Sequence, residues 1–385
     1  MDAATARHPA LDIAFDTETI LTGLKPWVEC ESPTFDAAAV NRMMDLAGRE
    51  LALLGARVER IAGRMGFGDC VRARFPHTAP ATTPGILVLA HLDTVHPVGT
   101  LDRLSWRREG ERVYGPGIFD MKGGTYLAVE AMRRLGMAGI ATPLPVTFLL
   151  TSDEEVGSPS TRDLIEAEAA RASFVLVPEP ARPDGGVVTG RYAIARFNLR
   201  TTGRPSHAGA TLGEGRSAIR EMCRQVLAIE GMTTEDCTFS AGVIHGGQWV
   251  NCVATHCDLE VLSMAKRQQD LDAGVERMLA LASSTPDVTL EVRRGVTRPV
   301  WEPDGGVMGL YQHARDLARA IGFDIAHQSS GGGSDGNFTG AMGIPTLDGL
   351  GVAGAGAHTL QEHIVTGSLV PRATLLAGLF ATLAK

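Results

Sequence analysis

The chain has 385 residues, 44% of them hydrophobic and 21% charged. That is more than one core usually organises, so two domains are expected. A formal net charge of −8 argues against a nucleic-acid or anionic-membrane surface. Six cysteines are scattered without a C-x-x-C pair, so neither a zinc ribbon nor a redox motif is indicated, and reduced thiols in a cytoplasmic protein are expected.

The N-terminal stretch "MDAATARHPALDIAFD" has no basic segment followed by an apolar one, so no signal peptide is read. No apolar run approaches the ~20 residues that span a bilayer. Residues 36–64 begin with helical periodicity, stop near Gly55 and continue into a strand, "ARVERIA". "GILVLA" (85–90), "VTFLL" (146–150) and "FVLVP" (174–178) are short apolar runs, as in strands buried on both faces. Between them, 122–136 reads as a helix with Gly136 just past its end, and 160–172 as a helix with a Ser/Thr cap. This alternation predicts a mixed, mostly parallel sheet sandwiched by helices.

After Gly190 the pattern becomes strand, helix, two strands, helix, strand. That order predicts a small ferredoxin-like βαββαβ sandwich. From "TRPVWEPDGG" the chain returns to a helix, a glycine-rich turn, the strand "PTLDGL" and a last helix over 366–384. The domains expected are therefore residues 1–190 plus 301–385, and an insertion, 191–300.

Sites in open α/β sheets form beyond the carboxyl ends of the strands. "GILVLA" is followed at once by His91, with Asp93 two residues on. "VTFLL" leads to Asp153, Glu154 and Glu155, "FVLVP" to Glu179, and "PTLDGL" through a glycine-rich loop to His358. Asp120 stands in "YGPGIFDMKGG", a turn that opens a helix. Asp153 also fits a helix cap. Two carboxylates about 4 Å apart repel by several kcal/mol at intermediate dielectric, and one or two divalent cations remove that conflict. Histidine with carboxylate suits zinc or a related hydrolytic metal. By contrast, "NCVATHC" (251–257) reads as thiols along a strand.

The segments "HLDTV", "YGPGIFDMKGG", "TSDEEVGS", "VPEP", "GRPSHAGA", "GGGSDGNF" and "GAHTLQEH" occur in that order. Together they resemble the metallopeptidase family of carboxypeptidase G, acetylornithine deacetylase, succinyl-diaminopimelate desuccinylase and aminoacylase-1, most closely the carboxypeptidase G branch. The resemblance implies an aminopeptidase-like catalytic domain with two metal ions, zinc foremost and manganese or cobalt as alternatives. It implies His91 and Glu179 on one ion, Glu155 and His358 on the other, and Asp120 bridging them beside a cis peptide to Met121. Asp93 would orient His91, and Glu154 would be the general base acting on a metal-bridging water. His207 would polarise the scissile carbonyl, in many relatives from the partner subunit of a homodimer formed through the inserted lid. Asn251, Arg298 and the turn with Gly332, Gly333 and Ser334 would contact substrate. One position departs from the pattern. Met264 stands where such relatives carry an arginine that grips the substrate carboxylate, and a methionine cannot donate that bond.

The activity expected is hydrolysis of an amide or related C–N bond in a small carboxylate-bearing substrate, such as an N-acyl amino acid or a dipeptide. Hydrolytic deamination of an aromatic amine of the nitroanthranilate type is the second reading, prompted by Met264. A non-catalytic metal-binding relative is the third.

Overall fold

The computed structural model describes residues 8–384. By internal contacts the chain divides into two compact units: Met1–Gly190 with Pro303–Ser330 and Ser334–Lys385, and Arg191–Glu302 with Gly331–Gly333.

The larger unit is built on an eight-stranded mixed sheet. Its order is Arg57–Ile61, Cys70–Arg74, Val146–Thr151, Gly85–His91, Ala172–Val177, Thr346–Asp348, Val187–Arg191, His327–Ser330. The central neighbours are parallel: Gly85–His91 runs alongside Val146–Thr151 on one side and Ala172–Val177 on the other, and Thr346–Asp348 alongside Ala172–Val177. Their carboxyl ends therefore share one edge. Alternate residues of one strand point to opposite faces, and both faces here are covered. Ile86, Val88 and Ala90 join one apolar cluster, while Leu87 and Leu89 join another with Leu149, Ile165 and Phe338. That double burial explains the unbroken apolar runs in the sequence.

A second, four-stranded sheet in this unit pairs Gly354–Ala355, His363–Val365, Arg112–Tyr114 and Arg107–Glu109. Its strands are two or three residues long, too short for periodicity to reveal. It ties the loop before Asp120 to the loop after His358.

The smaller unit is an antiparallel sheet in the order Cys237–Gly246, His256–Ala265, Ala193–Thr202, Thr289–Arg298. Helices Ala218–Glu230 and Gln268–Leu279 fall between strands in the chain, giving βαββαβ. In Ala193–Thr202 the residues Ala193, Ala195, Phe197 and Leu199 are buried against Met222, Ile229, Leu271 and Met278. The intervening Arg196, Asn198 and Arg200 are exposed, the alternation expected of a one-sided sheet.

Two local expectations are corrected. The helix of 122–136 runs Gly123–Met137, so Gly136 lies inside it, and Gly139, at φ 65°, takes the left-handed position beyond. The helix of 160–172 is shorter, Arg162–Ala169, because Ala172 already opens the next strand. A helix over Thr17–Glu29 carries Pro26 in its last turn, where proline masks the periodic pattern in the sequence.

Candidate metal centre

The sheet delivers His91 as the last residue of its strand, almost fully buried. Its Nδ1 lies 2.9 Å from the main-chain carbonyl of Asp93, with the Asp93 carboxylate 3.4 Å away. Its Nε2 faces Asp120 Oδ1 at 3.3 Å, Glu179 Oε1 at 3.6 Å and Glu154 Oε2 at 3.9 Å. Asp120 sits in the turn Ile118–Lys122, and its peptide bond to Met121 is cis. Its other oxygen, Oδ2, is 3.2 Å from His358 Nε2, which in turn is 3.1 Å from Glu155 Oε2. His358 holds φ 63° in its loop, a sparsely populated conformation that costs of order 1 kcal/mol or more and clusters at functional sites.

Two groups of ligand atoms result, His91/Asp120/Glu179 and Asp120/Glu155/His358, the atoms of each lying within 4.8 Å of one another. Asp120 belongs to both. Glu154, about 9% exposed, belongs to neither.

The turn that separates Glu154 from Glu155 is held by its backbone. Asp93 Oδ1 accepts the Glu154 N–H at 3.2 Å and Oδ2 the Glu155 N–H at 3.3 Å. Thr34 Oγ1 adds a bond to Oδ2 at 2.8 Å. Asp153 makes no side-chain cap to the turn it precedes or to the Arg162–Ala169 helix; its carboxylate accepts from the Ser160 N–H and the Thr161 hydroxyl ahead of that helix. The turn closes on Gly157, at φ 96°. Asp335 lies across from it, accepting from the Thr151 and Ser158 hydroxyls on either side.

The electrostatics are those of a site with too much negative charge for its solvent access. Burial pushes the His91 imidazole down, but the carboxylates of Asp120, Asp93, Glu154 and Glu179 override it and hold the group well above its ordinary value. Burial, then the charge of Asp120, lifts Glu179 well above the carboxylate range. Burial also lifts Glu155, against the pull of His358. Asp120 and Glu155 raise His358 to about 10. Burial works against ionising Asp120, yet the two imidazoles hold it below its usual range. The donor set thus keeps protons to balance its charge.

A divalent cation fits this set. His91 Nε2 and Glu155 Oε1 are buried and have no hydrogen-bond partner, which is costly unless something is to be bound. Neutral imidazole and ionised carboxylate are the forms a metal requires.

The other residues read from the sequence lie elsewhere. His207 and Asn251 are neighbours in the smaller unit: His207 forms a β-bridge with Cys252, and the Ala208 N–H donates to Asn251 O at 2.9 Å. His207 Nδ1 accepts from the Gly209 and Ala210 N–H groups, each at 3.1 Å, which leaves Nε2 as the protonated nitrogen of the neutral ring. Arg298 is buried, 4% exposed, its side chain against Gly333. The Gly332 carbonyl accepts from Arg191 Nη1 at 2.6 Å. Ser334 is fully buried and donates its hydroxyl to Asp348 at 2.6 Å. Met264 stands opposite Ile194 across the strands. Cys257 is buried on its strand and Cys252 exposed.

Sequence reasoning passed over Thr34, Asp335 and Glu362. Asp335 and Glu362 lie inside quoted motifs, "GGGSDGNF" and "GAHTLQEH", as acids next to Gly336 and His363. Thr34 carried no signal.

An open α/β sheet with two overlapping His/carboxylate groups at its carboxyl edge defines a metal-dependent hydrolase of the peptidase and amidohydrolase type. The model for peptidase family M20/M25/M40 matches residues 87–382, and the chain belongs to that family. Carboxypeptidase G2 of Pseudomonas sp. (strain RS-16) is 29% identical over 384 residues, 97% of this chain and 89% of that protein. Succinyl-diaminopimelate desuccinylase of Xylella fastidiosa (strain M12) is 26% identical over 345 residues, 83% and 89% of the two chains. Among solved structures, a tripeptidase from Staphylococcus aureus subsp. aureus mu50 shares the fold at TM-score 0.77 and 21% identity, covering 95% of this chain and 98% of its own.

Proposed function

We propose that this chain hydrolyses an amide or related C–N bond in a small carboxylate-bearing compound, an N-acyl amino acid or a dipeptide, at a pair of divalent ions. His91, Asp120 and Glu179 would hold one ion and Asp120, Glu155 and His358 the other, with zinc the best match to the nitrogen and oxygen donors. When bound, such a pair would polarise the scissile carbonyl and make a water nucleophilic at neutral pH.

The observation that carries the reading is the placement of Glu154: 3.9 Å from His91 of one ligand group, next in the chain to Glu155 of the other, and a member of neither. Its carboxylate would take the proton of the attacking water and deliver it to the leaving nitrogen. Asp93 would keep Glu154 and Glu155 pointing apart by holding both of their N–H groups. His207, with its proton on Nε2, would donate to the carbonyl oxygen as charge develops there, with Asn251 beside it on the substrate. The backbone of Gly332 and Gly333 would wall the substrate, shaped by the buried Arg298 and Ser334.

The second reading, hydrolytic deamination of an aromatic amine, is favoured by Met264 beside Ile194. That pairing offers an apolar surface in place of a guanidinium. A substrate screen on metal-reconstituted protein tests both readings: N-acyl amino acids, dipeptides, folate analogues and aromatic amines, read by released amine or ammonia. No hydrolysis of any amide would overturn the first reading, and no ammonia from any aromatic amine the second.

A homodimer joined through the smaller unit is proposed as well, since Cys237–Gly246 is an edge strand with Val243 and Ile244 exposed and such edges pair readily. A fully active monomer by light scattering would overturn a role for His207 in the partner's site. The free thiols of all six cysteines fit a cytoplasmic setting. No described helix is long and apolar enough to cross a membrane.

A further inference from the structure

Glu362 is buried, 1% exposed, four residues beyond His358. Both of its oxygens are filled. Oε2 meets His96 Nε2 at 2.6 Å and accepts the Gly117 N–H at 3.0 Å. Oε1 accepts the Phe119 N–H at 2.9 Å and the Asp120 N–H at 3.0 Å. Three of these four donors are main-chain N–H groups of one turn, at Gly117, Phe119 and Asp120, and the turn starts from Gly117 at φ 69°. A left-handed residue ahead of such a turn gathers N–H groups into a concave anion cradle. Glu362 supplies the anion from within the protein.

The consequence falls on Asp120. Its two oxygens face opposite ways, Oδ1 to His91 and Oδ2 to His358, at 3.3 and 3.2 Å. A small rotation of the turn would favour one at the expense of the other. The bond from the Asp120 N–H to Glu362 fixes the peptide plane that leads into that residue. Meanwhile Glu362 rides on the loop that carries His358, and the adjoining His363 pairs with Tyr114 on the strand before the turn. One carboxylate therefore ties together the two loops whose side chains meet at the centre.

We propose that Glu362, buttressed by His96, is a positioning residue that aims Asp120 at both ligand groups at once. The proposal rests on Asp120 being the shared metal ligand. A structural role alone would be to satisfy three buried N–H groups, and it would show in stability but not in metal affinity.

The test is calorimetric zinc titration of the metal-free full-length chain, alongside its melting temperature. Glu362→Gln keeps the shape and an acceptor for Phe119 and Asp120, but sets an amide NH₂ against His96 and Gly117. Zinc affinity is expected to weaken about 10–100-fold, as for other groups that orient metal ligands. His96→Asn, which leaves Glu362 in place without its buttress, is expected to move affinity the same way by less, and it remains informative if the first variant does not fold. Ile20→Val removes a methyl from the core of the Thr17–Glu29 helix and serves as the control for destabilisation without loss of affinity. Wild-type zinc affinity in both Glu362→Gln and His96→Asn, with only a lowered melting temperature, would overturn the proposal. Asp120→Asn in the same titration separates the underlying reading: undiminished zinc binding there would show that Asp120 is not the shared ligand, and the proposal would fall with it.

Discussion

Asp93 Oδ1 accepts the main-chain N–H of Glu154 at 3.2 Å. The same side chain borders the His91 imidazole and holds Glu155, so His91, Glu154 and Glu155 share one anchor. Asp93→Asn cannot keep this arrangement, because an amide offers one acceptor oxygen where the carboxylate offered two. Turnover is expected to fall about 10–100-fold, with metal content reduced less than activity. Steady-state kinetics with metal analysis by emission spectroscopy reads both, and unchanged kinetics would refute the anchoring role.

Glu154→Gln removes the proposed base without touching either ligand group. The expected loss in kcat is about 10²–10⁴-fold, the usual contribution of a positioned acid–base group, with two metal equivalents retained. Near-normal turnover would remove Glu154 from the chemistry.

Gly124 lies in the first turn of the Gly123–Met137 helix, where an added Cβ would sit 1.9 Å from the Pro178 carbonyl and 2.9 Å from the Gly351 Cα. Both are backbone atoms and cannot swing away. Gly124→Ala should therefore cost about 1–3 kcal/mol by overpacking and shift Glu179, the next residue after Pro178. Chemical denaturation would show the first effect and weakened zinc binding the second.

Glu221 gives a pH dependence that belongs to the smaller unit. It is fully buried. Burial opposes its ionisation, but bonds from the Thr285 hydroxyl, the Ser284 N–H and Gln225 hold the carboxyl down at about 2. A depressed folded-state value stabilises the fold above the unfolded value of about 4.3 and loses that contribution as pH falls toward about 2. The stability gap between wild type and Glu221→Gln should therefore be largest near neutrality, on the order of 1–3 kcal/mol, and close between about pH 4.5 and 2. Denaturant midpoints across that range measure it, and a gap independent of pH would refute it.

Chelation should lower the melting temperature, and added zinc restore it. An ion that binds only the folded chain stabilises it by about 2.7 kcal/mol at about 100 times its Kd. A melting temperature indifferent to chelator and zinc would count against the metal centre.

Much of this was legible in the sequence for a physical reason. Strands buried on both faces must be apolar throughout, so Ile86 to Ala90 and Phe148 to Leu150 announced themselves, and a histidine or acid directly after such a run stands out. The βαββαβ order of the smaller unit followed from one-sided alternation such as Ala193, Ala195, Phe197, Leu199. What stayed hidden acts through the backbone. Glu362 and Asp335 bind N–H groups and hydroxyls whose positions depend on the folded turn, and no spacing rule connects residue 362 to residue 117. The short strands at Arg112–Tyr114 and His363–Val365 were invisible because three residues carry no period.

The chain order of the proposed ligands has a bearing on how the protein is made. His91, Asp120 and Glu179 all precede residue 190, so one ligand group is complete in sequence before synthesis of the inserted unit begins. The other waits for His358, which is translated only after that unit has emerged. A nascent chain paused within the insertion already holds a full triad, yet lacks the loop that brings Glu362 to the Asp120 turn. If these groups hold the two ions as proposed, ribosomal progress as well as metal supply would set when the second half of the centre can first be assembled.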